Sequence, residues 1–291
     1  MQRFTFRDFD TMFPDDAACL EWLRSYLYPD GIFCKKCEKV TKHHRVISRP
    51  SYSCDECGHH VHPTSGTIFH KSSTPLKTWF HAIYLMASTK GGISAKQIER
   101  ETGVTYKTAW RMAKQIRSML GVDAGPLEGP VEMDESYFGG KRKGAKAGRP
   151  SKKDKHKTAV LGIVQRGGTA KAFVIPDASG KTLLTHAVTH IVPRATVYTD
   201  EFGAYKGLRY TSHQFDHQTI RHKEDRWADG DIHTNTVEGL WSLLKRGIRG
   251  VYVHCSPKHL QQYLNEYTFR YSHRHDETPM FTSFLHQIAK A

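Results

Sequence analysis

Two pairs of cysteines, each with two residues between its members, constrain the N-terminal part of this 291-residue chain. The pairs are Cys34 with Cys37 and Cys54 with Cys57. Each pair can form a tight turn that presents two thiolates, and four thiolates complete the tetrahedral coordination of one structural Zn²⁺. The β-prone residues 40–53 between the pairs predict a hairpin. We therefore expect a zinc ribbon, because so short a segment could hardly fold without the metal.

The histidines beside the second pair and the two remaining cysteines are not needed for this site. His59, His60 and His62 could replace a thiolate, but four cysteines already fill a structural zinc site, so surface positions or phosphate contacts are favoured. Cys19 and Cys255 are expected to be small buried hydrophobic residues rather than reactive thiols.

Residues 1–72 form the first predicted domain, in which a short helix precedes the ribbon. Apolar residues recur at helical spacing within residues 14–28, and they would face the ribbon. These residues are Ala17, Leu20, Leu23 and Leu27.

Residues 73–122 form the second predicted domain, where the apolar pattern becomes helical. Ser94 and Thr105 have the chemistry of helix N-caps, and Gly103 between them fits a left-handed turn. This spacing is typical of a helix-turn-helix, whose second helix enters the major groove of DNA. An ordinary helical hairpin with a charged face is the alternative. The predicted DNA contacts are Tyr106, Lys107, Arg111 and Lys114.

Residues 129–291 form the third predicted domain, which has an α/β pattern. The predicted elements are strands at 131–138, 158–165 and 170–175, a helix at 179–192, a strand at 195–199 and a helix at 235–249. This order matches a ribonuclease-H-like core, a mixed sheet with flanking helices, in which the first and fourth strands lie side by side. Asp134 lies on the first strand and Asp200 directly follows the fourth, so the two are expected to meet.

The helix at 235–249 adds a third carboxylate. Val237, Trp241, Leu244 and Ile248 form its apolar stripe. Glu238 and Lys245 are seven residues apart on an adjacent polar face. A solvent-facing helix would explain such a pair equally well in isolation, but the apolar stripe would press this helix against the sheet.

Three carboxylates from separate elements suit two divalent cations, which can activate an attacking oxygen and stabilise a leaving oxygen. On the first strand, alternation places Glu132, Asp134 and Ser136 on one face and Glu135 on the other. Alternation alone does not decide which carboxylate faces the metal.

The charge of the chain favours an anionic partner. Lys and Arg number 43 against 29 Asp and Glu, which gives a formal charge of +14. Release of counterions from phosphates drives the binding of such proteins to nucleic acid. The segment 141–157 holds nine basic residues against one Asp, so it is expected to contact phosphates unless it is a solvated linker. Further predicted DNA contacts are Lys141, Arg142, Lys143, Arg246 and Arg249.

No apolar run approaches the ~18 residues that span a membrane, and the N-terminal residues lack the apolar core of a signal peptide. These features predict a cytoplasmic protein. In a reducing compartment, the six cysteines are not expected to form disulfides.

Several stretches together resemble bacterial insertion-sequence transposases of the DDE type that begin with a zinc ribbon, the ISXO-like group. Besides the first cysteine pair, the stretches are YSCDECGHHVHPTSGTIFHKSSTPLKTWF, VEMDESYFGGKRKG, VYTDEFGAY and HTNTVEGLWSLLKRGIRGVYVH. The resemblance implies a metal-dependent transposase with a ribonuclease-H-like core. Asp134 and Asp200 would be the first two acids, Glu238 the third, and Lys245 the trailing basic residue. Asn235, about one turn before Glu238, could share or take the third role.

The function implied is a DNA transposase that cleaves transposon ends and joins the freed 3′-hydroxyl to target DNA. Two Mg²⁺ ions, or Mn²⁺, would lie between Asp134, Asp200 and Glu238, with structural Zn²⁺ in the ribbon. Its partners would be the terminal inverted repeats, target DNA and further copies of the chain, at the bacterial nucleoid. The alternatives are a DNA-binding regulator without catalysis, a structure-specific nuclease of the same fold, and an inactive remnant of a mobile element.

Overall fold

The computed structural model describes residues 4–121, 125–139, 157–220, 233–252 and 255–288. The chain divides into two compact units. One comprises Met1–Val122 with Asp276–Ala291, and the other comprises Asp123–His275.

The elements of the first unit up to residue 122 are α1 (Phe6–Met12), α2 (Asp16–Leu27), β1 (Phe33–Cys34), β2 (Lys39–Val40), β3 (His43–Val46), β4 (Ser51–Cys54), β5 (His60–Val61), α3 (Leu76–Ser88), α4 (Ala95–Thr102) and α5 (Tyr106–Met119). The elements of the second unit are β6 (Val131–Phe138), β7 (Thr158–Gln165), β8 (Ala170–Ile175), α6 (Gly180–His190), β9 (Thr196–Thr199), a 3₁₀ helix (Gly203–Tyr210), β10 (Asp216–Thr219), α7 (Asn235–Gly247), a π turn (Ile248–Tyr252) and α8 (Pro257–Ser272). Helix α9 (Met280–Leu285) returns to the first unit.

The predicted ribbon is present at the N-terminal end of the first unit. Strands β1 and β2 pair antiparallel, and β3, β4 and β5 form a second antiparallel sheet. The hairpin between the cysteine pairs is β3–β4, in which His43 lies opposite Cys54. The helix predicted before the ribbon is α2, and its buried residues are Cys19, Leu20 and Leu23.

Helices α4 and α5 have the caps that the sequence predicts. The Ser94 hydroxyl accepts the Gln97 N–H, and the Thr105 hydroxyl accepts the Thr108 N–H. Gly103 ends α4 at φ +70°, where a residue without a side chain avoids steric strain. Ile98, Ala109 and Ala113 are fully buried between the helices.

Helix α9 contributes an aromatic side chain to the first unit. The Phe281 ring contacts the rings of Phe9, Phe13 and Tyr84, with centroids 5.8 to 6.0 Å apart. Aromatic packing of this kind stabilises by more than the buried area alone. The compact units therefore group residues 276–291 with the N-terminal part of the chain, whereas the sequence pattern places them in the third domain.

The second unit contains a five-stranded mixed sheet with the order β10-β9-β6-β7-β8. Strands β6, β7 and β8 form an antiparallel meander, β9 is parallel to β6, and β10 is parallel to β9. Numbered within the unit, this order is 5-4-1-2-3, so the first and fourth strands are neighbours as the ribonuclease-H-like fold requires. The prediction of that fold is confirmed.

Helices cover both faces of this sheet, which is why β7 is a nearly continuous apolar run. On one face, residues of β6 and β7 such as Met133 and Leu161 pack with Leu183 of α6. On the other face, Val160 packs with α7 and α8 in a second core. The predicted stripe of α7 is buried in that second core.

None of the helices among the described residues is long and apolar enough to cross a membrane.

Candidate functional site

The two adjacent acids of β6 point to opposite faces of the sheet. Asp134 lies on the face covered by α7, where the Trp241 indole Nε1–H donates to its Oδ2 at 2.8 Å. Glu135 lies on the other face, where the buried Tyr205 hydroxyl donates to its Oε2 at 2.9 Å. Of the two acids, Asp134 is therefore the one that shares a face with the helix carrying Glu238 and Lys245.

A glycine beside Asp134 makes room for that tryptophan. Gly162 of β7 lies opposite Asp134, and a Cβ at position 162 would be 2.7 Å from the Trp241 ring. Only a residue without a side chain allows the indole to approach the sheet so closely. Gly162 has no role among the residues that the sequence predicts for the site. A lone glycine inside an otherwise apolar strand is the signal that marks such an approach.

The second aspartate lies at the end of the neighbouring parallel strand. Val131 pairs with Val197 and Glu132 with Tyr198, so the paired segments end two residues before each aspartate. Asp200 is close enough for its charge to raise the pKa of Asp134. The Phe202 N–H donates to Asp200 Oδ1 at 3.0 Å.

The Asp134 carboxyl has a strongly raised pKa. Burial, followed by the negative charge of Glu135, raises this pKa to about 7, and Asp200 adds to the increase. The hydrogen bond from Trp241 acts in the opposite direction. A buried carboxyl with carboxylates as its charged neighbours is a site that a cation would stabilise.

Helix α7 brings a cation to the same place. The Lys245 side chain is half-buried, and burial together with the nearby charge of Arg249 lowers its pKa, whereas the charge of Asp134 raises it. Lys245 is therefore within electrostatic range of Asp134.

The other two predicted residues of α7 are exposed. Glu238 accepts a hydrogen bond of 3.2 Å from the Thr234 hydroxyl, and Asn235 is the first residue of the helix. The carboxylate oxygens of Asp134, Asp200 and Glu238 do not all lie within 4.8 Å of one another, unlike the sulfur atoms of the four ribbon cysteines described below. A pair of cations about 4 Å apart can be held by carboxylates that are more widely spaced than this.

The four predicted cysteines come together in the ribbon. Their sulfur atoms all lie within 4.8 Å of one another, and they are the one such group of potential metal ligands among the described residues. Cys34 and Cys57 are 3.5 Å apart at sulfur, and Cys37 and Cys54 are 3.9 Å apart. Tetrahedral zinc with Zn–S bonds of ~2.3 Å requires sulfur separations of about 3.8 Å, so the cluster fits the metal.

The surroundings of the cysteines agree with this assignment. The Thr41 hydroxyl lies 3.1 Å from the Cys54 sulfur and lowers the pKa of Cys54. Burial raises the pKa of Cys19 to about 12, so that residue remains a thiol. His59, His60 and His62 are not part of the metal-ligating group.

The four DNA contacts predicted for the helix-turn-helix all lie on α5. Tyr106, Lys107 and Arg111 are exposed, and Lys114 is half-buried with its Nζ 5.6 Å from the Trp110 ring. The Arg111 guanidinium lies over the Trp79 ring at 5.8 Å.

The remaining predicted DNA contacts belong to the second unit. Arg246 and Arg249 are exposed at the end of α7 and in the π turn that follows. Lys141, Arg142 and Lys143 lie outside the described residues.

The fold and the cysteine cluster define a class: proteins with a ribonuclease-H-like core and an N-terminal metal-binding ribbon. Residues 126–272 match the ISXO2-like transposase domain, which is half of the chain, and residues 14–60 match the transposase zinc-ribbon domain. The chain therefore belongs to the ISXO2-like transposase family, and it is a DDE-type transposase. The family assignment confirms the resemblance seen in the sequence.

A relative from Halobacterium salinarum, described as an uncharacterized protein in the transposable element ISH50, is 29% identical over 277 residues, which covers 89% of this chain and 91% of the relative. Two solved structures are more distant. A chain of the simian T-cell lymphotropic virus intasome, in complex with a PP2A regulatory subunit, has 13% identity and a TM-score of 0.31, and the match covers 59% of this chain and 63% of that one, less than two thirds of its length. The Mos1 strand transfer complex has 11% identity and a TM-score of 0.25, with 70% and 77% covered.

Proposed function

We propose that this transposase cleaves the ends of its transposon and joins the freed 3′-hydroxyl to target DNA at a site built on Asp134, Asp200 and α7. The observation that carries the proposal is the environment of Asp134. Its carboxyl is withdrawn from water enough to raise its pKa, the charges of Glu135 across the sheet and of Asp200 act on it, and Lys245 is the nearby cation on α7. Such a concentration of negative charge is costly unless it binds cations.

Asp134, Asp200 and Glu238 are the residues that would hold two divalent cations, Mg²⁺ or Mn²⁺. When bound, these ions would supply Lewis-acid stabilisation to the attacking and leaving oxygens of a phosphodiester. Asn235 is the alternative third residue, but a carboxylate binds a hard cation better than an amide does.

The protein's own contribution is orientation and charge. Trp241 orients the Asp134 carboxyl through its indole N–H, which donates to Oδ2. Lys245 places a positive charge near this carboxylate, where it can bind a DNA phosphate. Positioning of this kind supplies much of the rate enhancement in phosphoryl transfer.

The DNA itself would be held by surfaces of both units. Tyr106, Lys107, Arg111 and Lys114 of α5 would contact the terminal repeats as the second helix of a helix-turn-helix. Arg246 and Arg249, with Lys141, Arg142 and Lys143, would contact phosphates near the catalytic acids. This arrangement assigns residues 1–72 and 73–122 to end recognition and residues 129–291 to catalysis.

Joining two transposon ends requires two active sites, so we infer a homo-oligomer on DNA. Its work would take place in the cytoplasm, where a bacterial nucleoid lies. A structure-specific nuclease would cut without joining, and a regulator would bind DNA without cutting.

The test uses labelled duplexes that carry the candidate transposon ends from the DNA flanking the gene. With Mg²⁺ present, the wild-type chain should nick the end and join it to a second duplex. Asp134→Asn and Asp200→Asn should retain DNA binding but lose both reactions. Asp216→Asn, which changes an exposed carboxylate on β10, is the matched control.

Retained Mg²⁺-dependent cleavage by Asp134→Asn would remove that residue from the mechanism. Comparison of Glu238→Gln with Asn235→Ala decides the third role, because only the true ligand should lose cleavage by several orders of magnitude.

A further inference from the structure

A fully buried carboxylate lies two residues before Asp134 on the same face of β6. Glu132 is 0% exposed, and its Oε2 accepts the backbone N–H groups of Thr236 and Val237 at 2.8 and 2.9 Å. Its Oε1 accepts the Thr236 hydroxyl at 2.8 Å. Glu132 thus binds the first turn of the helix that carries Glu238 and Lys245.

Helix α7 has no cap of its own. Thr234 occupies the N-cap position, but its side chain makes no hydrogen bond to the helix backbone and donates instead to Glu238. The N–H groups of a first turn need an acceptor, and a negative charge there is favoured by the helix dipole. Glu132, on strand β6, supplies both the acceptor and the negative charge.

The charge of Glu132 is balanced by groups that connect it to other parts of the site. Arg166 Nε donates to Oε1 of Glu132 at 2.7 Å, and its Nη2 donates to the carbonyl of His233 at 2.9 Å. The Arg166 guanidinium lies over the Tyr198 ring, 4.1 Å from its centroid. Tyr198 is on β9, two residues before Asp200. His233 Nδ1 lies 3.1 Å from Oε1 of Glu132.

Strand β6 and helix α7 are therefore joined at two points, Glu132 to Val237 and Asp134 to Trp241. The two strand residues are separated by about 6.8 Å along the strand, and the two helix residues by about 6 Å along the helix. Because these spacings nearly agree, one placement of the helix along the strand satisfies both attachments, and a shift of the helix by one turn would break both.

We propose that Glu132 is a positioning residue for DNA cleavage, which sets the register of α7 and so the place of Glu238 and Lys245 relative to Asp134. This inference rests on the proposed function. Glu132 itself lies beneath the helix, where it does not touch DNA. Its effect on the reaction is transmitted through the first turn of α7.

The test replaces Glu132 with Gln in the full chain, which keeps the shape but removes the charge and one acceptor. Amide hydrogen exchange of the metal-free protein should become at least ~10-fold faster at Thr236 and Val237 relative to the amides of β7 and β8, whose exchange follows the global stability. In a single-turnover assay with saturating DNA, end cleavage should fall roughly 100-fold per folded molecule, at unchanged DNA affinity and with a higher Mn²⁺ concentration for half-maximal rate.

Glu266→Gln is the matched control. Glu266 is also 0% exposed and pairs with an arginine, Arg270, at 2.9 Å, but it lies on α8. This variant should lose comparable stability while it keeps the exchange of Thr236 and Val237 relative to β7 and β8, the cleavage rate per folded molecule and the Mn²⁺ dependence.

If Glu132→Gln and Glu266→Gln lower the rate only in proportion to their folded fractions, Glu132 is a structural residue and the inference is wrong. Unchanged exchange of Thr236 and Val237 relative to β7 and β8 in Glu132→Gln would also overturn it. If the wild-type chain cleaves no DNA, the proposed function fails, whereas the exchange experiment still decides whether Glu132 holds the helix.

Discussion

The indole N–H of Trp241 donates to Oδ2 of Asp134 at 2.8 Å, so a residue of α7 orients the acid on β6. The same helix carries Glu238 and Lys245, two of the groups proposed to act with this acid. Docking of α7 on the sheet therefore does two things at once. It places Lys245 within electrostatic range of Asp134, and it fixes the orientation of the Asp134 carboxyl.

Replacement of Trp241 by Phe should alter the acidity of Asp134 while it preserves most of the packing. A hydrogen bond to the ionised form lowers a pKa, and Trp241 has this effect on Asp134, so its loss should raise that pKa above about 7. The pH at which end cleavage reaches half of its maximum should rise accordingly, as measured by a pH–rate profile at subsaturating Mg²⁺, where the metal competes with this proton.

The control for this change is Trp79→Phe. Trp79 is fully buried and donates its indole N–H to the Ser72 hydroxyl at 2.9 Å, far along the chain from the acids. The Trp79→Phe substitution should lower the free energy of unfolding by about 1 kcal/mol through the lost hydrogen bond, with no change in the pH–rate profile. An unshifted profile in Trp241→Phe would show that the indole does not tune Asp134.

Asp134→Asn should make the metal-free protein more stable at neutral and higher pH. Asp134 has a pKa of about 7 in the folded chain against 3.8 ordinarily. As the pH rises between these values, the unfolded chain loses this proton first, so the free energy of unfolding falls. Above pH ~7 the loss amounts to about 4 kcal/mol, and the neutral Asn removes it.

Thermal unfolding at about pH 5 and about pH 8 measures this effect. The increase in melting temperature caused by Asp134→Asn should be larger at the higher pH. Mg²⁺ should raise the melting temperature of the wild type but not of the variant. Equal melting temperatures for the two proteins at the higher pH would contradict the raised pKa.

The sequence predicts the strand of Asp134 to the residue, because β6 is bounded by a proline and two glycines and its neighbours are continuous apolar runs. Strand β10 escapes prediction, because DHQT has neither alternation nor apolar character, and its pairing depends on β9. The role of Glu132 cannot be predicted from the sequence for a different reason. Strand alternation places it on the face of Asp134, but only the fold shows that this face is closed by the first turn of α7.

Gly162→Ala should displace Trp241. The added Cβ would lie 2.7 and 2.8 Å from two ring carbons, which is closer than carbon atoms approach, so the ring and α7 must shift. We expect a loss of about 1–3 kcal/mol from overpacking, together with slower end cleavage. Chemical denaturation and a single-turnover assay measure the two effects.

Gly239→Ala is the corresponding control on α7. A Cβ at position 239 meets nothing within 4 Å, and alanine is the better helix former by about 1 kcal/mol. This variant should be as stable as the wild type or more so. If Gly162→Ala were equally well tolerated, the close approach of Trp241 to the sheet would be refuted.

The ribbon should hold one zinc ion per chain, and Cys54→Ser should lose it. The four sulfur atoms lie at separations that match tetrahedral zinc, and a serine hydroxyl does not replace a thiolate as a ligand. Metal analysis of the purified protein should give zinc in the wild type and in Cys19→Ala, whose thiol is buried and has a pKa of about 12. A zinc content unchanged by Cys54→Ser would exclude that residue as a ligand.

Lys107→Ala should weaken DNA binding in a way that depends on salt. Lys107 is exposed on α5 and would neutralise one phosphate if this helix lies on DNA. The slope of log affinity against log salt concentration should then decrease in magnitude by about 1, equally for transposon-end and unrelated duplexes. Fluorescence anisotropy over a range of salt concentrations measures the slope.

Lys181→Ala, which removes an exposed lysine of α6, provides the comparison and should leave the slope unchanged. If the two variants behave alike, α5 and the helix before it form a helical hairpin with a charged face rather than a DNA-binding unit.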